Sequence, residues 1–145
     1  MARLSRIAPA MLAIGLAGCA IQQTVRPVEA IADRQICVID NPAVRASFVE
    51  AYKRSLTGKG YEVRQVPAGT PITGCGTTST YSANWRWDLA LYMAYAEIRV
   101  FSDGKPVGEA KYDSMGGGAN MNKFIDADRK IQELVDQLFP GGARK

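Results

Sequence analysis

Asn84-Trp-Arg-Trp-Asp-Leu-Ala-Leu-Tyr-Met-Ala-Tyr-Ala-Glu-Ile-Arg-Val-Phe101 is the stretch on which the reading of the fold turns. It is the longest run of β character and holds both tryptophans of the chain. From Trp85 to Tyr95 the odd positions are Trp, Trp, Leu, Leu, Met and Tyr, and the even positions are Arg86, Asp88, Ala90, Tyr92 and Ala94. That is the period of two of a strand with one strongly apolar face. Beyond Ala96 the phase reverses, with Ile98 and Val100 apolar and Glu97 and Arg99 charged. A slip of one residue exchanges the two faces of a strand, so a β-bulge is predicted at Ala94–Ala96. As one straight strand the run would span roughly 60 Å, too long for a small domain. A bend, or a strand beginning after Asn84, is expected.

The elements on either side follow from their periodicity. Gln35-Ile-Cys-Val-Ile-Asp40 is a β-branched run closed by Asn41-Pro42, which reads as a helix start. Val44, Phe48, Tyr52 and Leu56 then recur every four residues, on one face of a helix that Gly58 and Gly60 terminate. Tyr61–Val66 alternates as a second strand, so strand, helix and strand form a βαβ unit with parallel strands. Pro67–Thr80, rich in Gly, Thr, Ser and Pro, reads as a loop. After the central stretch, Ser102-Asp103-Gly104-Lys105 is a hairpin turn. Pro106–Tyr112 returns as an edge strand because of its leading proline. Asp113–Asn120 is a glycine-rich loop, and Asn120 or Asn122 is placed to cap a last helix with Phe124, Ile131, Leu134, Val135 and Leu138 as its stripe. The predicted architecture is an α/β (α+β) two-layer sandwich, two helices packed on a mixed four-stranded sheet in the order β-α-β-β-β-α.

The first eighteen residues are of another kind. Arg3 and Arg6 precede the uncharged apolar stretch Ile7–Leu16, about half the length that a membrane-spanning helix needs. Leu16-Ala17-Gly18-Cys19 follows, and it resembles the lipobox of bacterial lipoproteins. The resemblance implies lipidation of Cys19, cleavage just before it and anchoring in a membrane. Ala20 in place of Asp implies the outer membrane, with the domain facing the periplasm. The expected division is a signal peptide at 1–18, a lipidated tether at 19–34, one domain at 35–140 and a disordered tail at 141–145. Without 1–18, sixteen basic side chains stand against fourteen acidic ones, a net +2. No basic run marks a nucleic-acid partner.

With Cys19 lipidated, Cys37 and Cys75 remain. In an oxidising compartment two such cysteines read as a disulfide, with a pair of free thiols as the alternative. The chain has no His, so neither a Ser-His-Asp triad nor a His metal site can be built. No catalytic residue, metal or cofactor is implied. Gly117–Lys123 departs from a phosphate loop at both its second glycine and its hydroxyl. The candidate binding residues are Trp85, Arg86, Trp87 and Asp88, read either as packing with an ion pair or as an aromatic platform for a glycan.

Tyr81–Tyr92, Ala94–Val100, Gly108–Asp113, the glycine loop, and Lys123–Ala127 to Leu134–Pro140 together resemble a Sbal-type family of small proteobacterial lipoproteins. That resemblance implies an address and a shape but no reaction. The functional expectation is a non-enzymatic accessory or interaction lipoprotein of the cell envelope. Its partners are the membrane, through Cys19, and either another envelope protein or a second copy of itself. The alternative is an envelope glycan- or small-ligand-binding module built on the Trp85/Trp87 region.

Overall fold

The stretch that opens the sequence reading forms two strands rather than one. In the computed structural model, which describes residues 20–29 and 31–143, it is divided between β4 (Thr77–Asp88) and β5 (Ala90–Ser102). These form an antiparallel hairpin that turns at Leu89. The remaining elements are β1 (Gln22–Arg26), β2 (Gln35–Ile39), α1 (Ala46–Gly58), β3 (Glu62–Val66), β6 (Lys105–Asp113) and α2 (Ala127–Leu138), with a short 3-10 turn at Met121–Lys123. The signal peptide and Cys19 lie outside the described residues.

The strands make one mixed six-stranded sheet in the order β1-β6-β5-β4-β2-β3. β2 is parallel to both β3 and β4, and the other pairs are antiparallel. The two helices and the parallel βαβ unit are as expected, but the four-stranded sheet and its order are not. One added strand comes from splitting the central stretch. The other is β1, inside the segment expected to be a tether, which pairs with β6 and moves it from the edge to the interior. The loop expected to run to Thr80 ends sooner, because Thr77–Thr80 already pairs with β5.

The bulge falls within the predicted residues. Asn84 pairs with Tyr95 and Trp85 with Met93, leaving Ala94 as the extra residue. Beyond it Ala96, Ile98 and Val100 point into the core, where all three are fully buried. Both helices cover this face. Phe48, Tyr52 and Leu56 of α1 and Ile131, Leu134 and Leu138 of α2 are buried on it, with Ile36, Val38, Ala110 and Tyr112 beneath. Phe124 lies outside α2 and meets Tyr92 edge-on at 5.3 Å.

Helix starts differ from the prediction by a few residues. Asn41 accepts from the Ala43 amide and donates to the Tyr81 carbonyl, which shapes the approach to α1 rather than capping it. Asn120 caps the 3-10 turn, and Asp126 caps α2 by accepting from the Arg129 amide. The segment after α2 is partly tied down, since the Ala143 amide donates to the Lys59 carbonyl and the Tyr61 hydroxyl donates to the Gly142 carbonyl.

Cys37 and Cys75 form a disulfide with a Cα–Cα separation of 6.3 Å. Cys37 points away from the helices, so the bridge holds the β3–β4 loop over the outer face, where Ile39 and Val66 form a small second cluster with it.

Candidate functional site

Two surfaces are left once the helices have covered their face of the sheet. The first is the projecting end of the β4–β5 hairpin. β1, β5 and β6 share a row at Gln22, Tyr95 and Asp113, and the hairpin continues past it to Leu89. Trp85 still reaches the core, meeting Phe48 perpendicularly at 6.4 Å, with the Arg45 guanidinium 5.5 Å above its indole. Trp87, on the same face, extends beyond the helix and is 75% exposed. Arg86 points to the other face and is exposed.

Asp88 forms an ion pair with Lys123, whose ammonium also donates to the Gly118 carbonyl at 2.6 Å. That ammonium lies 5.5 Å from the Tyr92 ring and 5.3 Å from the Phe124 ring, and Lys123 is only 4% exposed. The pair fastens the hairpin to the loop before α2. The four predicted binding residues are therefore neighbours on one ribbon but do not converge: Trp85 faces α1, Arg86 and Trp87 diverge, and Asp88 is taken by Lys123. The partner that sequence reading missed is Lys123. Its distance in sequence from Asp88 hid it, and only its place beside the glycine loop hinted at a role.

The second surface is the open face of the sheet. Here Tyr95, Glu97 and Arg99 of β5 lie beside Glu109 and Lys111 of β6. The Tyr95 hydroxyl donates to Glu97, Arg99 pairs with Glu97, and Arg99 also reaches Glu109 at 3.2 Å. The Lys111 ammonium sits 5.5 Å from the Tyr95 ring. Burial, followed by the hydrogen bond to Glu97 and its negative charge, pushes the Tyr95 hydroxyl up to about 12. Thr80, Ser82 and Asn84 of β4 extend this polar face toward the hairpin. It is a ladder of matched charges rather than a bare apolar sheet.

A cleft of about 520 Å³ runs between the two helices, away from both surfaces. Ion pairs cross it, Arg54 with Asp128 at 2.7 Å and Lys59 with Asp136 at 3.4 Å. These two pairs take four of the charged side chains that line it, and Asp126 is used in capping α2. Among the described residues no three His, Cys, Asp or Glu side chains are grouped to hold a metal, and no helix is long and apolar enough to cross a membrane.

Neither a protein-family model nor a curated protein sequence matches the chain. Solved structures do. The PelC dodecamer from Paraburkholderia phytofirmans matches with a TM-score of 0.53 at 13% identity, over 86% of this chain and 99% of that one. A leucine-to-methionine variant of the same dodecamer matches with a TM-score of 0.55 at 16% identity, over 86% of this chain and 100% of that one. At these identities the likeness is one of fold: the described domain is similar in architecture to the PelC subunit.

Proposed function

We propose that this chain is a lipoprotein anchored in the outer membrane through Cys19 and facing the periplasm, a non-enzymatic envelope component that associates with copies of itself. The observation that carries the reading is the fold likeness to PelC, which spans nearly the whole of that subunit and concerns a protein crystallised as a dodecamer. The lipobox-like Leu16-Ala17-Gly18-Cys19 supports the anchor. The open face of the sheet supports association. Its alternating Glu97, Arg99, Glu109 and Lys111 offer a charge pattern that a protein surface can complement, which gives register and specificity more than raw affinity. The disulfide suits an oxidising compartment.

The test is to express the full chain in a bacterium, extract it from membranes in mild detergent and measure two masses. The N-terminal peptide of the processed protein should begin at Cys19 and carry a diacylglyceryl group. The particle should have the mass of several subunits, and Arg99→Glu should lower it. An unmodified N-terminus removes the anchor, and a monomer at micromolar concentration removes the association.

A further inference from the structure

The end of the domain that carries the hairpin is also the end from which the chain leaves toward Cys19. Gln22 lies in the same row as Tyr95 and Asp113. Ala20 and Ile21 continue past that row against the glycine loop, where added Cβ atoms on Gly116 and Gly117 would lie 3.6 Å from the Ala20 carbonyl oxygen and 3.3 Å from Ile21. The exposed apolar side chains gather at this end. Of six large ones among the described residues, Trp87, Leu89, Leu91, Met115 and Met121 belong to the hairpin or the adjoining loop. Only Ile72 lies elsewhere.

We propose that this end is a membrane-insertion wedge: the Trp87–Leu91 tip, with Met121 beside it, enters the interface of the same phospholipid bilayer that holds the lipid on Cys19. The inference rests on the anchor proposed above and adds the orientation of the domain on it. Reach agrees with it. From the Asn84–Tyr95 row the hairpin extends five residues along β4 to Leu89, about 17 Å at strand rise. Three residues separate Cys19 from Gln22 in sequence, a reach of at most about 10 Å. The tip thus overreaches the attachment point by about 7 Å or more, comparable with the depth at which apolar groups sit in the headgroup and acyl boundary.

The chemistry agrees as well. Indoles favour the membrane–water interface. Leu89 is 83% exposed and holds a left-handed backbone conformation, φ 61°, in which a leucine is strained. A leucine kept there against both water and backbone preference has a use at the tip. Asp88, the one acid of the tip, is already neutralised by Lys123. Arg86 and Arg45 flank the indoles, where phosphates would lie. The Arg54–Asp128 and Lys59–Asp136 pairs ascend α1 and α2 together, so the helices are parallel. Both begin at the hairpin end; α1, with Arg45 at its N-cap and no acid in its first turn, turns its positive dipole end to an anionic surface, while Asp126 and Asp128 offset that of α2.

The test uses the processed full chain, extracted from membranes and reconstituted into vesicles of phosphatidylethanolamine and phosphatidylglycerol that contain acyl-brominated phospholipid. Wild type is compared with Trp87→Phe so that the difference isolates Trp87. The expected result is a blue-shifted Trp87 component quenched at least twofold by shallow bromines and shielded from iodide. Leu89→Asp, at an exposed position, should abolish that quenching while the protein stays on the vesicles through its lipid. Trp87 emission that remains water-like and iodide-accessible in vesicle-held protein overturns the wedge and leaves the anchor standing. A Trp87 component shielded in detergent particles but unquenched in vesicles assigns the tip to contact between copies and also overturns it. An N-terminal peptide without lipid overturns the anchor itself, and the wedge with it.

Discussion

Leu89 has a backbone conformation that glycine or asparagine adopts at little cost and leucine does not. Its side chain is 83% exposed and contributes little packing to offset that. Leu89→Asn should therefore raise stability by about 1 kcal/mol, measured as a higher denaturant midpoint with an unchanged slope. Tyr95 offers a second residue-level test. Its hydroxyl is held protonated up to about 12, first by burial and then by Glu97. A phenol whose folded pKa exceeds its unfolded value of 10.0 contributes stability that is complete below that value and is lost as pH rises through the folded one. In a titration of tyrosinate absorbance Tyr52, Tyr61 and Tyr81 also ionise late because they are buried, and Tyr95→Phe should remove one component from that late group. Glu97→Gln, which takes away the negative charge beside the hydroxyl, should bring that ionisation to lower pH.

At the scale of elements, the βαβ unit and α2 were legible because each hides one face, and a buried face imposes its period on the sequence. The phase slip at Ala94 was legible for the same reason. The hairpin turn was not, because it contains no Gly, Pro or Asn. Pairing Trp87 with Leu91 and Trp85 with Met93 puts odd residues opposite odd residues. The alternation therefore runs through Leu89 as though the strand were continuous. β1 escaped notice because a five-residue polar strand has little face to bury. It is held instead by pairing with β6 and by side chains, since Gln23 donates to Glu133 at 2.8 Å and accepts from Lys130 at 2.9 Å, both on α2. The Lys130 hydrogen bond, opposed by burial and aided by Gln23, draws the Glu133 carboxyl below its ordinary 4.5. Its contribution is present above that value and is lost as pH falls through the lower folded one. Amides of β1 should therefore exchange faster in Glu133→Gln at neutral pH, and the wild type should converge on the variant in acid. The disulfide is the stronger staple. It closes a separation of 38 residues, and in the loop-entropy account its reduction should cost about 4 kcal/mol, read as a fall in the urea midpoint with dithiothreitol.

At the scale of the whole molecule, the candidate binding residues were found as neighbours in sequence, but whether they converged depended on the turn that sequence reading missed. The turn sends Trp87 outward and brings Asp88 to Lys123. It also supplies a direction, because the hairpin and the chain's path to Cys19 share one end. A directed subunit restricts how copies can associate. If every anchor and every tip must meet one bilayer, no two-fold axis in the plane of the membrane is allowed, and dihedral assemblies are excluded. What remains is a cyclic assembly about the membrane normal. For more than two subunits its contact is heterologous, so the open face of one copy meets a different surface on the next. The expected outcome is a ring with all hairpins on one side, visible in electron micrographs of detergent-extracted particles. A cysteine introduced at Ser82, on the open face, should then form no 82–82 disulfide under oxidation, because the same face does not meet itself. Efficient formation of that disulfide would indicate an isologous pair and remove the ring.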